Sequence, residues 1–356
     1  MPNLHIVADP PMTKALVAAG AFADDPVIVV DVGARGGVEW YWKVFGDHVQ
    51  IIAFEPDEEE CARLNAIAER NVTFIAAALG SEDGPRTLYV TRHAASSTFY
   101  PTVPEWGRRY TFADNLEVDH ETTVQTSTLR TALAGRRVDF IKLDAEGAEL
   151  DVLRGADLAP TLGLIAELNF GQSPSGQPSF ADFDTHCRAN GLQLYDLDLY
   201  RFSRQALPYP LLYDSRDGAG RPVAGPTVQG QVLSSDALYF RDGLASAQPV
   251  KHACLFEIFG LADCAAEMIP AHRDAFARWA DPNRLLDLLV PEVKGRRLAH
   301  ADYVARHRAG DPLFRPTQGW RQPPKMVGQY DGVFIPAWLS LGPRLQRLWH
   351  ALRHRV

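Results

Sequence analysis

Short apolar runs alternate with amphipathic stretches along roughly the first 245 residues of the chain. Runs that are rich in β-branched residues, and that stop at glycine, proline or acidic positions, predict buried strands. The predicted strands are residues 27–31, 50–55, 72–77, 138–144, 162–169, 192–197 and 237–241. Strands that alternate with helices are typical of βαβ units, so the pattern predicts an α/β fold with a mostly parallel sheet.

The polar positions between these runs predict where helices begin and end. A short helix is expected at 41–45, and another follows Pro56 with three acidic residues in its first turn. A helix at 148–153 is closed by Gly155. Ser179, with Asp182 three positions later, has the pattern of a capping box at a helix start. Asp83 and Gly84 predict a turn that leads into a hairpin strand at 87–91.

After about residue 243 the strand pattern ends and helical spacing takes over. Helices are expected at 252–279, 283–289 and 338–355. We therefore divide the chain into an N-terminal segment 1–26, an α/β domain 27–245 and a helical C-terminal extension 246–356. A stretch rich in proline and glycine, 208–230, is too long for an ordinary connection, and we interpret it as a lid or substrate loop.

Composition and charge narrow the function. The chain is 46% hydrophobic and carries a net charge of −8, which argues against nucleic acid as a partner and favours a small-molecule enzyme. Its four cysteines have no zinc-site spacing and are expected to be reduced thiols. We find no signal peptide and no apolar run long enough for a membrane span, and we expect a cytoplasmic protein.

The segment VIVVDVGARGGVEW ends a predicted strand in a glycine-rich bend. A dinucleotide site would have G-x-G-x-x-G here, but Asp31 takes the place of the first glycine, followed by Gly33 and Gly36. Its negative charge disfavours a pyrophosphate and favours a ligand with an ammonium group, such as S-adenosylmethionine. Glu55, at the end of the next strand, could accept both ribose hydroxyls of either cofactor. The alternative is that Asp31 and the glycines only form a tight turn and bind no ligand.

A second signature is VDFIKLDAEGAELDVLRG. Lys142 and Asp144 are two apart in a strand, so both side chains point to one face. Burying them near the carboxyl end of a parallel strand is costly without a partner or ligand, and ligands of open α/β sheets bind at that end. A structural ion pair is the alternative for Lys142. For Glu149 we favour a structural role at the start of a helix.

These segments, with STLRTAL and VTFIAAALGSEDG between them, resemble the FkbM family of S-adenosylmethionine-dependent methyltransferases over about residues 27–241. The resemblance implies a Rossmann-like class I methyltransferase sheet, mostly parallel with an antiparallel last strand, beside the helical C-terminal extension. It also implies O-methylation of a sugar, glycan or small metabolite. The donor contacts that we assign are Asp31, Gly33, Ala34, Gly36, Glu55, Pro56, Ala78 and Leu79.

Methyl transfer to a hydroxyl needs alignment and removal of a proton. Asp144 is the leading candidate for the base, with Lys142 orienting the acceptor, and His93 is the alternative base. Asp144 could instead form an oxygen-rich Mg²⁺ site with Glu167 and Asn169.

Two further questions stay open at this stage. The predicted helix 338–355 combines leucines at helical spacing with arginines. We favour the interpretation that this helix docks on the catalytic domain. The alternatives are that it binds an anionic membrane surface or a second subunit of a homo-oligomer. The alternative functions are an NAD-dependent oxidoreductase or epimerase and a non-catalytic scaffold that binds the methyl donor.

Overall fold

The computed structural model describes residues 5–112, 116–171, 176–208, 215–216, 222–223, 227 and 230–314. Most of the predicted loop 208–230, and the whole of the predicted helix 338–355, lie outside these residues.

A seven-stranded sheet forms the centre of the molecule. Its strand order is β3-β2-β1-β7-β8-β12-β9, in which β12 is antiparallel to both of its neighbours while β3, β2, β1, β7 and β8 run parallel. The strands in chain order are β1 (Val27–Val32), β2 (Val49–Phe54), β3 (Val72–Ile75), β4 (Ala78–Gly80), β5 (Gly84–Thr91), β6 (Val118–Thr128), β7 (Phe140–Leu143), β8 (Gly163–Asn169), β9 (Gln193–Phe202), β10 (Ser215–Arg216), β11 (Pro222–Val223) and β12 (Gln231–Phe240). The mostly parallel sheet with an antiparallel strand near its end is thus confirmed.

Helices cover both faces of this sheet. They are α1 (Pro11–Ala18), α2 (Glu58–Ile67), α3 (Pro104–Gly107), α4 (Leu129–Leu133), α5 (Glu149–Arg154), α6 (Phe180–Ala189), α7 (Pro249–Ile258), α8 (Ala262–Ala271), α9 (Arg273–Ala277), α10 (Pro282–Leu289) and α11 (His300–Arg308), with 3₁₀ segments at Trp40–His48, Ala94–Ser96, Gly243–Ala245 and Pro312–Phe314. None of the helices in the described part of the chain has the length and apolar character needed to cross a membrane.

The capping signals in the sequence act largely as predicted. Asp57 caps α2 by accepting hydrogen bonds from the backbone N–H groups of Glu59 and Glu60, one residue after the predicted start at Pro56. Ser179 and Asp182 form the expected capping box of α6. Gly155 does follow α5, but with a negative φ of −83°. A Cβ there would lie 2.4 Å from the carbonyl oxygen of Gly80, so close packing against β4, and not a left-handed cap, requires this glycine.

The sequence prediction missed a second sheet. Strand β6 pairs antiparallel with β5 and parallel with β4, in the order β4-β6-β5. The segment of β6 reads VDHETTVQTST, and most of its residues are exposed. Because neither face of the strand is apolar, it carries no alternation that could have identified it.

One hydrophobic core joins the sheet to the helices that follow it. It contains residues of β1, β7, β8 and β12 together with α1, the 3₁₀ segment Trp40–His48, α7, α8 and α10. The opposite face of the sheet packs against α4, α5 and α6 in a second core. The segment from Pro249 to Leu289 is therefore packed on the sheet and covers one face of it.

Two buried polar residues of α7 anchor this packing. The Lys251 Nζ donates to Asp25 Oδ1 (2.9 Å), to the Pro26 carbonyl (2.8 Å) and to Asp139 Oδ2 (3.0 Å) at the amino end of the sheet. The imidazole of His252 is fully buried and stacks on the rings of both Phe240 (centroids 5.7 Å apart) and Phe256 (4.5 Å). Burial lowers the pKa of His252 to about 4.

This pKa predicts an acid-sensitive fold. Because the unfolded chain protonates His252 at higher pH than the folded chain, the stability from a neutral His252 is present above pH ~6.5 and is lost as the pH falls towards 4. His252→Phe should remove up to ~3 kcal/mol of this pH dependence. Urea unfolding of both proteins at several pH values between 7 and 4 measures it. Parallel stability curves for the two proteins would contradict the prediction.

Candidate functional site

The glycine bend follows β1 directly and is packed against the end of β7. Gly33 has φ +76°, and a Cβ on it would lie 1.8 Å from the carbonyl oxygen of Asp144. The N–H groups of Gly33 and Ala34 both donate to the carbonyl of Phe54 at the end of β2 (3.0 Å each). The bend thus brings the ends of β1, β2 and β7 together, and only glycine fits at position 33.

Lys142 lies between two of the predicted site carboxylates. Its Nζ is 3.1 Å from Asp31 Oδ1 and 3.5 Å from Asp144 Oδ2. Asp31 and Lys142 are direct partners in the β1–β7 register, so their side chains share a face. The Asp31 side chain is 1% exposed and that of Asp144 is 40% exposed. Lys142 therefore pairs with one carboxylate that is enclosed by protein, Asp31, and with one that is accessible to solvent, Asp144.

Burial and charge act against each other in this triad. Burial raises the pKa of Asp31 to about 6, although the attraction of Lys142 works in the opposite direction. For Lys142 burial lowers the pKa, but the charges of Asp31 and Asp144 outweigh it and the net direction is upward. Lys142 therefore stays protonated, which suits a group that holds two carboxylates and not one that takes up a proton.

Glu55 follows β2, beside the glycine bend. It is 3% exposed, and its Oε1 accepts a hydrogen bond from the Asp57 N–H (3.0 Å) and lies 3.7 Å from Arg35 Nη1. Burial raises its pKa. The bend is tied to α2 as well, because the Gly36 N–H donates to Glu60 Oε1 (3.1 Å). The structure thus brings Asp31, Gly33, Ala34, Gly36 and Glu55 together around one bend.

The remaining predicted donor contacts differ in their surroundings. Pro56 is exposed next to Glu55. Ala78 and Leu79 are buried in β4, where they pair with β6, and Leu79 lies in the core behind the sheet. The predicted strand 72–77 ends at Ile75, so Ala76 and Ala77 take the positions that follow the end of β3.

The loop after β7 is closed by Glu149. This residue is buried, and its Oε1 accepts hydrogen bonds from the N–H groups of Ala145 (2.9 Å) and Gly147 (3.0 Å). Burial raises its pKa to about 7. Glu149 therefore shapes the loop that carries Asp144, in agreement with the structural role expected for it.

An acidic row continues across the carboxyl edge of the sheet beyond β7. Leu143 pairs with Ala166 and Glu167 pairs with Asp236, which places Asp144, Glu167 and Asp236 in one row on the same face. Burial and the neighbouring charge of Asp144 raise the pKa of Glu167 well above its ordinary value. Burial likewise raises the pKa of Asp236 to about 7.

Asp236 and Tyr200 were missed by the sequence analysis. The Tyr200 hydroxyl donates to Asp236 Oδ2 at 2.5 Å, so the two residues form one polar unit on β9 and β12. The only signal for Asp236 was its polarity inside an apolar strand, and its neighbour Glu167 lies 69 positions earlier in the chain. Only the antiparallel pairing of β12 with β8 brings the two together.

The proposed Mg²⁺ site at Asp144, Glu167 and Asn169 receives no support. Within the described residues no group of three or more histidine, cysteine, aspartate or glutamate side chains is arranged to hold a metal ion. Glu167 and Asn169 do lie on one strand face, two residues apart in β8.

The segment between β5 and β6 crosses this edge of the sheet. Near its start the Thr98 Oγ1 donates to the Glu146 carbonyl (2.7 Å), and further on Tyr110 pairs with Arg204 beyond the end of β9. His93 lies at the beginning of this segment, where its Nδ1 is 3.4 Å from Ser96 Oγ. The recorded polar contacts of His93 are thus local, and they do not join it to Lys142 or Asp144 in the part of the chain that is described.

Together these features define a cleft with two ends. The glycine bend, Asp31 and Glu55 form one end, and the acidic row forms the other, with Asp144 between them. This strand order, with charged side chains at the carboxyl ends of the central strands, is that of the α/β class I methyltransferase sheet.

Comparison with known proteins agrees with this class. Residues 31–193 match the family model described as the methyltransferase FkbM domain. The resemblance inferred from the glycine bend and the KLDAEGAE segment is therefore confirmed.

One relative that the chain resembles is Methyltransferase 1 from Beauveria bassiana (strain ARSEF 2860). It is 31% identical over 159 residues, which are 38% of this chain and 60% of the relative. The match thus covers less than two thirds of that protein's length.

Solved structures with a similar chain path include TehB from Haemophilus influenzae, with 9% identity, a TM-score of 0.30, and 63% of this chain and 61% of that one covered. Magnesium protoporphyrin IX methyltransferase from Synechocystis PCC 6803, solved with bound SAM, is 11% identical with a TM-score of 0.27. The match covers 66% of this chain and 80% of that one.

The contacts of Lys142 with Asp31 and Asp144 predict that removal of the lysine charge lowers the stability of the protein by an amount that depends on pH. Lys142→Met leaves Asp31 buried without a countercharge, which should cost about 3–5 kcal/mol at pH 8. The loss should be smaller at pH 5, because Asp31 can then be neutral. Urea unfolding at both pH values measures this effect. Asp31→Asn in the Lys142→Met background should recover part of the loss; an equal loss at both pH values would contradict the prediction.

Proposed function

We propose that this protein is an S-adenosylmethionine-dependent O-methyltransferase that methylates a hydroxyl of a sugar, a glycan or a small metabolite by in-line transfer. The observation that carries the proposal is the meeting of Asp31, Lys142 and Asp144 at the carboxyl ends of β1 and β7, directly beside a glycine bend. The match of residues 31–193 to the methyltransferase FkbM domain supports the same reaction class.

The residues at the bend fit this donor. Asp31 Oδ2 is buried and has no hydrogen-bond partner among the described residues, so this carboxylate oxygen keeps an unused acceptor beside the bend. Gly33, Gly36 and Gly37 all have positive φ values, which opens the backbone at this end of the cleft. Glu55 lies one strand further, where its carboxylate would accept hydrogen bonds from ribose hydroxyls. When bound, S-adenosylmethionine supplies a methyl group on a positively charged sulfur.

Asp144 is placed to accept the proton of the acceptor hydroxyl. Its side chain is 40% exposed in the cleft, between the donor end and the acidic row. Lys142 holds Asp144 in position, with its Nζ 3.5 Å from Asp144 Oδ2. In this arrangement Lys142 positions the base, and its contact with Asp31 leaves it little freedom to reach an acceptor.

The acidic row supplies the acceptor side of the cleft. Glu167 and Asp236 are carboxyl groups on the same face as Asp144, and their raised pKa values make them ready to share protons with hydroxyl groups. The segment that carries Thr98 and Tyr110 passes over this edge and limits the access of water to it.

The first prediction concerns the donor. Calorimetric titration with S-adenosylhomocysteine should show binding, and Glu55→Gln should weaken it at least about tenfold, because Gln keeps the acceptor for the Asp57 N–H but loses the charge that ribose hydroxyls prefer. Glu59→Gln, on the exposed first turn of α2, is the matched control and should bind normally. Binding of NAD⁺ in place of the homocysteine compound would indicate an oxidoreductase and would overturn the proposal.

The second prediction separates the two candidate bases. Asp144→Asn should lower methyl transfer to a hydroxylated acceptor by roughly 10²–10⁴-fold while donor binding is kept, because the lost function is proton removal. His93→Gln should change the rate little. Both are measured as S-adenosylhomocysteine formed with a panel of sugars and glycan fragments. A large loss in His93→Gln with full activity in Asp144→Asn would reverse the assignment.

A further inference from the structure

The loop that follows β7 has a strained backbone. Glu146 has φ +51° and the next residue, Gly147, has φ +101°. This left-handed conformation is unfavourable for a residue with a Cβ, and it persists only where the surrounding structure imposes it. The loop begins at Asp144, the candidate base, whose N–H donates to the carbonyl of Val32 at the end of β1 (3.0 Å). The contacts that impose the strain therefore also act on the backbone of the base.

The side chain of Glu149 holds this conformation. One of its oxygens, Oε1, accepts hydrogen bonds from the N–H groups of Ala145 (2.9 Å) and Gly147 (3.0 Å), the residues on either side of Glu146. Glu149 is 5% exposed, so water competes little for these two bonds. A single buried oxygen thus sets the direction of the Glu146 peptide.

The carbonyl of Glu146 contacts two segments that border the acceptor side of the cleft. Thr98 Oγ1, in the segment between β5 and β6, donates to it at 2.7 Å. Gln177 Nε2, in the segment between β8 and α6, lies 3.5 Å from the same oxygen. Gly147 packs against this glutamine as well, since a Cβ there would lie 1.5 Å from its Nε2. Two residues after Asp144, one backbone carbonyl thus meets both segments.

Other contacts hold the segment between β5 and β6 beyond Thr98. The Tyr100 hydroxyl donates to Asp151 Oδ2 of α5 (2.8 Å). At the far end the guanidinium of Arg204 lies 4.2 Å from the centre of the Tyr110 ring. The Thr98 contact differs from these because its partner is the backbone of the loop after β7. The position of the segment relative to that loop therefore depends on the direction of one carbonyl.

We propose that Glu149 and Thr98 are positioning residues for methyl transfer. Glu149 fixes the direction of the Glu146 carbonyl, and Thr98 docks the segment between β5 and β6 on it, so that the acceptor side of the cleft is placed relative to Asp144. In-line transfer depends on such placement, because a displacement of about 1 Å can cost about 10²-fold in rate. The inference rests on the proposed function, since it concerns the alignment of the acceptor with the candidate base of that reaction.

The first test compares two substitutions of Glu149. Glu149→Gln keeps an oxygen that can accept both N–H groups, and it should retain most of the rate of methyl transfer. Glu149→Leu removes this acceptor, and it should lower kcat at least about tenfold while the Kd of S-adenosylhomocysteine changes less than about twofold. The best acceptor from a panel of sugars and glycan fragments serves as substrate. A residue that only stabilises the fold would lower the melting temperature without this effect on kcat.

Thr98→Val tests the contact itself at a partly exposed position. It should raise the acceptor KM about three- to tenfold, the loss of one neutral hydrogen bond, with the donor Kd unchanged. Thr185→Val is the matched control, because Thr185 Oγ1 also donates to a backbone carbonyl, that of Ala181, at 2.7 Å on exposed α6. Added to Glu149→Leu, Thr98→Val should have little further effect, since the carbonyl that it contacts is then already displaced.

Amide hydrogen exchange measures the same coupling without an acceptor. Glu149→Leu and Thr98→Val should each speed exchange in residues 98–110 at least about threefold, as expected for one lost hydrogen bond. Glu149→Gln and Thr185→Val should exchange there as the parent protein does.

The outcomes separate this inference from the proposed function. Unchanged exchange of residues 98–110 in Glu149→Leu, or an acceptor KM in Thr98→Val equal to that of the parent protein, would show that the inference is wrong while the proposed function stands. If the parent protein binds S-adenosylhomocysteine but methylates no member of the panel, hydrogen exchange decides. If it neither binds this compound nor methylates any acceptor, the proposed function fails, and the inference fails with it.

Discussion

The carboxyl edge of the sheet depends on one buried cation. Lys142 neutralises Asp31, which is fully enclosed, and also reaches Asp144, which is open to the cleft. Without that charge two carboxylates would face each other across β1 and β7, and the low polarity around Asp31 would strengthen their repulsion. A single lysine therefore connects the buried carboxylate of Asp31 to the candidate base, Asp144.

The glycine bend lies directly beside the ion pair of Lys142 and Asp31. Gly33 allows the backbone to turn after β1 in contact with the Asp144 carbonyl at the end of β7. The close approach of β1 and β7 therefore determines both the shape of the bend and the distance between Lys142 and Asp31. From there the acidic row extends over β8 and β12. The donor end and the acceptor end of the cleft thus lie on one continuous face of the sheet.

That face is completed by residues that lie far away in sequence. Its apolar part packs against α1 and α7 to α10, and Phe259 reaches from the end of α7 to Tyr41 beside the bend. The division at residue 245 follows the change of sequence pattern. In three dimensions the helices after it share a core with the central strands, and Lys251 of α7 binds Asp139 at the opposite end of the sheet.

The sequence alone determined the parallel strands, the glycine bend and the Lys142–Asp144 pair. Each of these depends on residues close together in the chain, through the periodicity of a strand, the glycines of a bend or the alternation of side chains along a strand. The capping box of α6 is an example, confirmed with both of its hydrogen bonds. Strand β6 escaped because both of its faces are polar. Asp236 and Tyr200 gained their roles only from tertiary structure. Strand register places Asp236 beside Glu167 and within hydrogen-bond distance of Tyr200, and contacts between residues so distant in the chain leave no periodic signal.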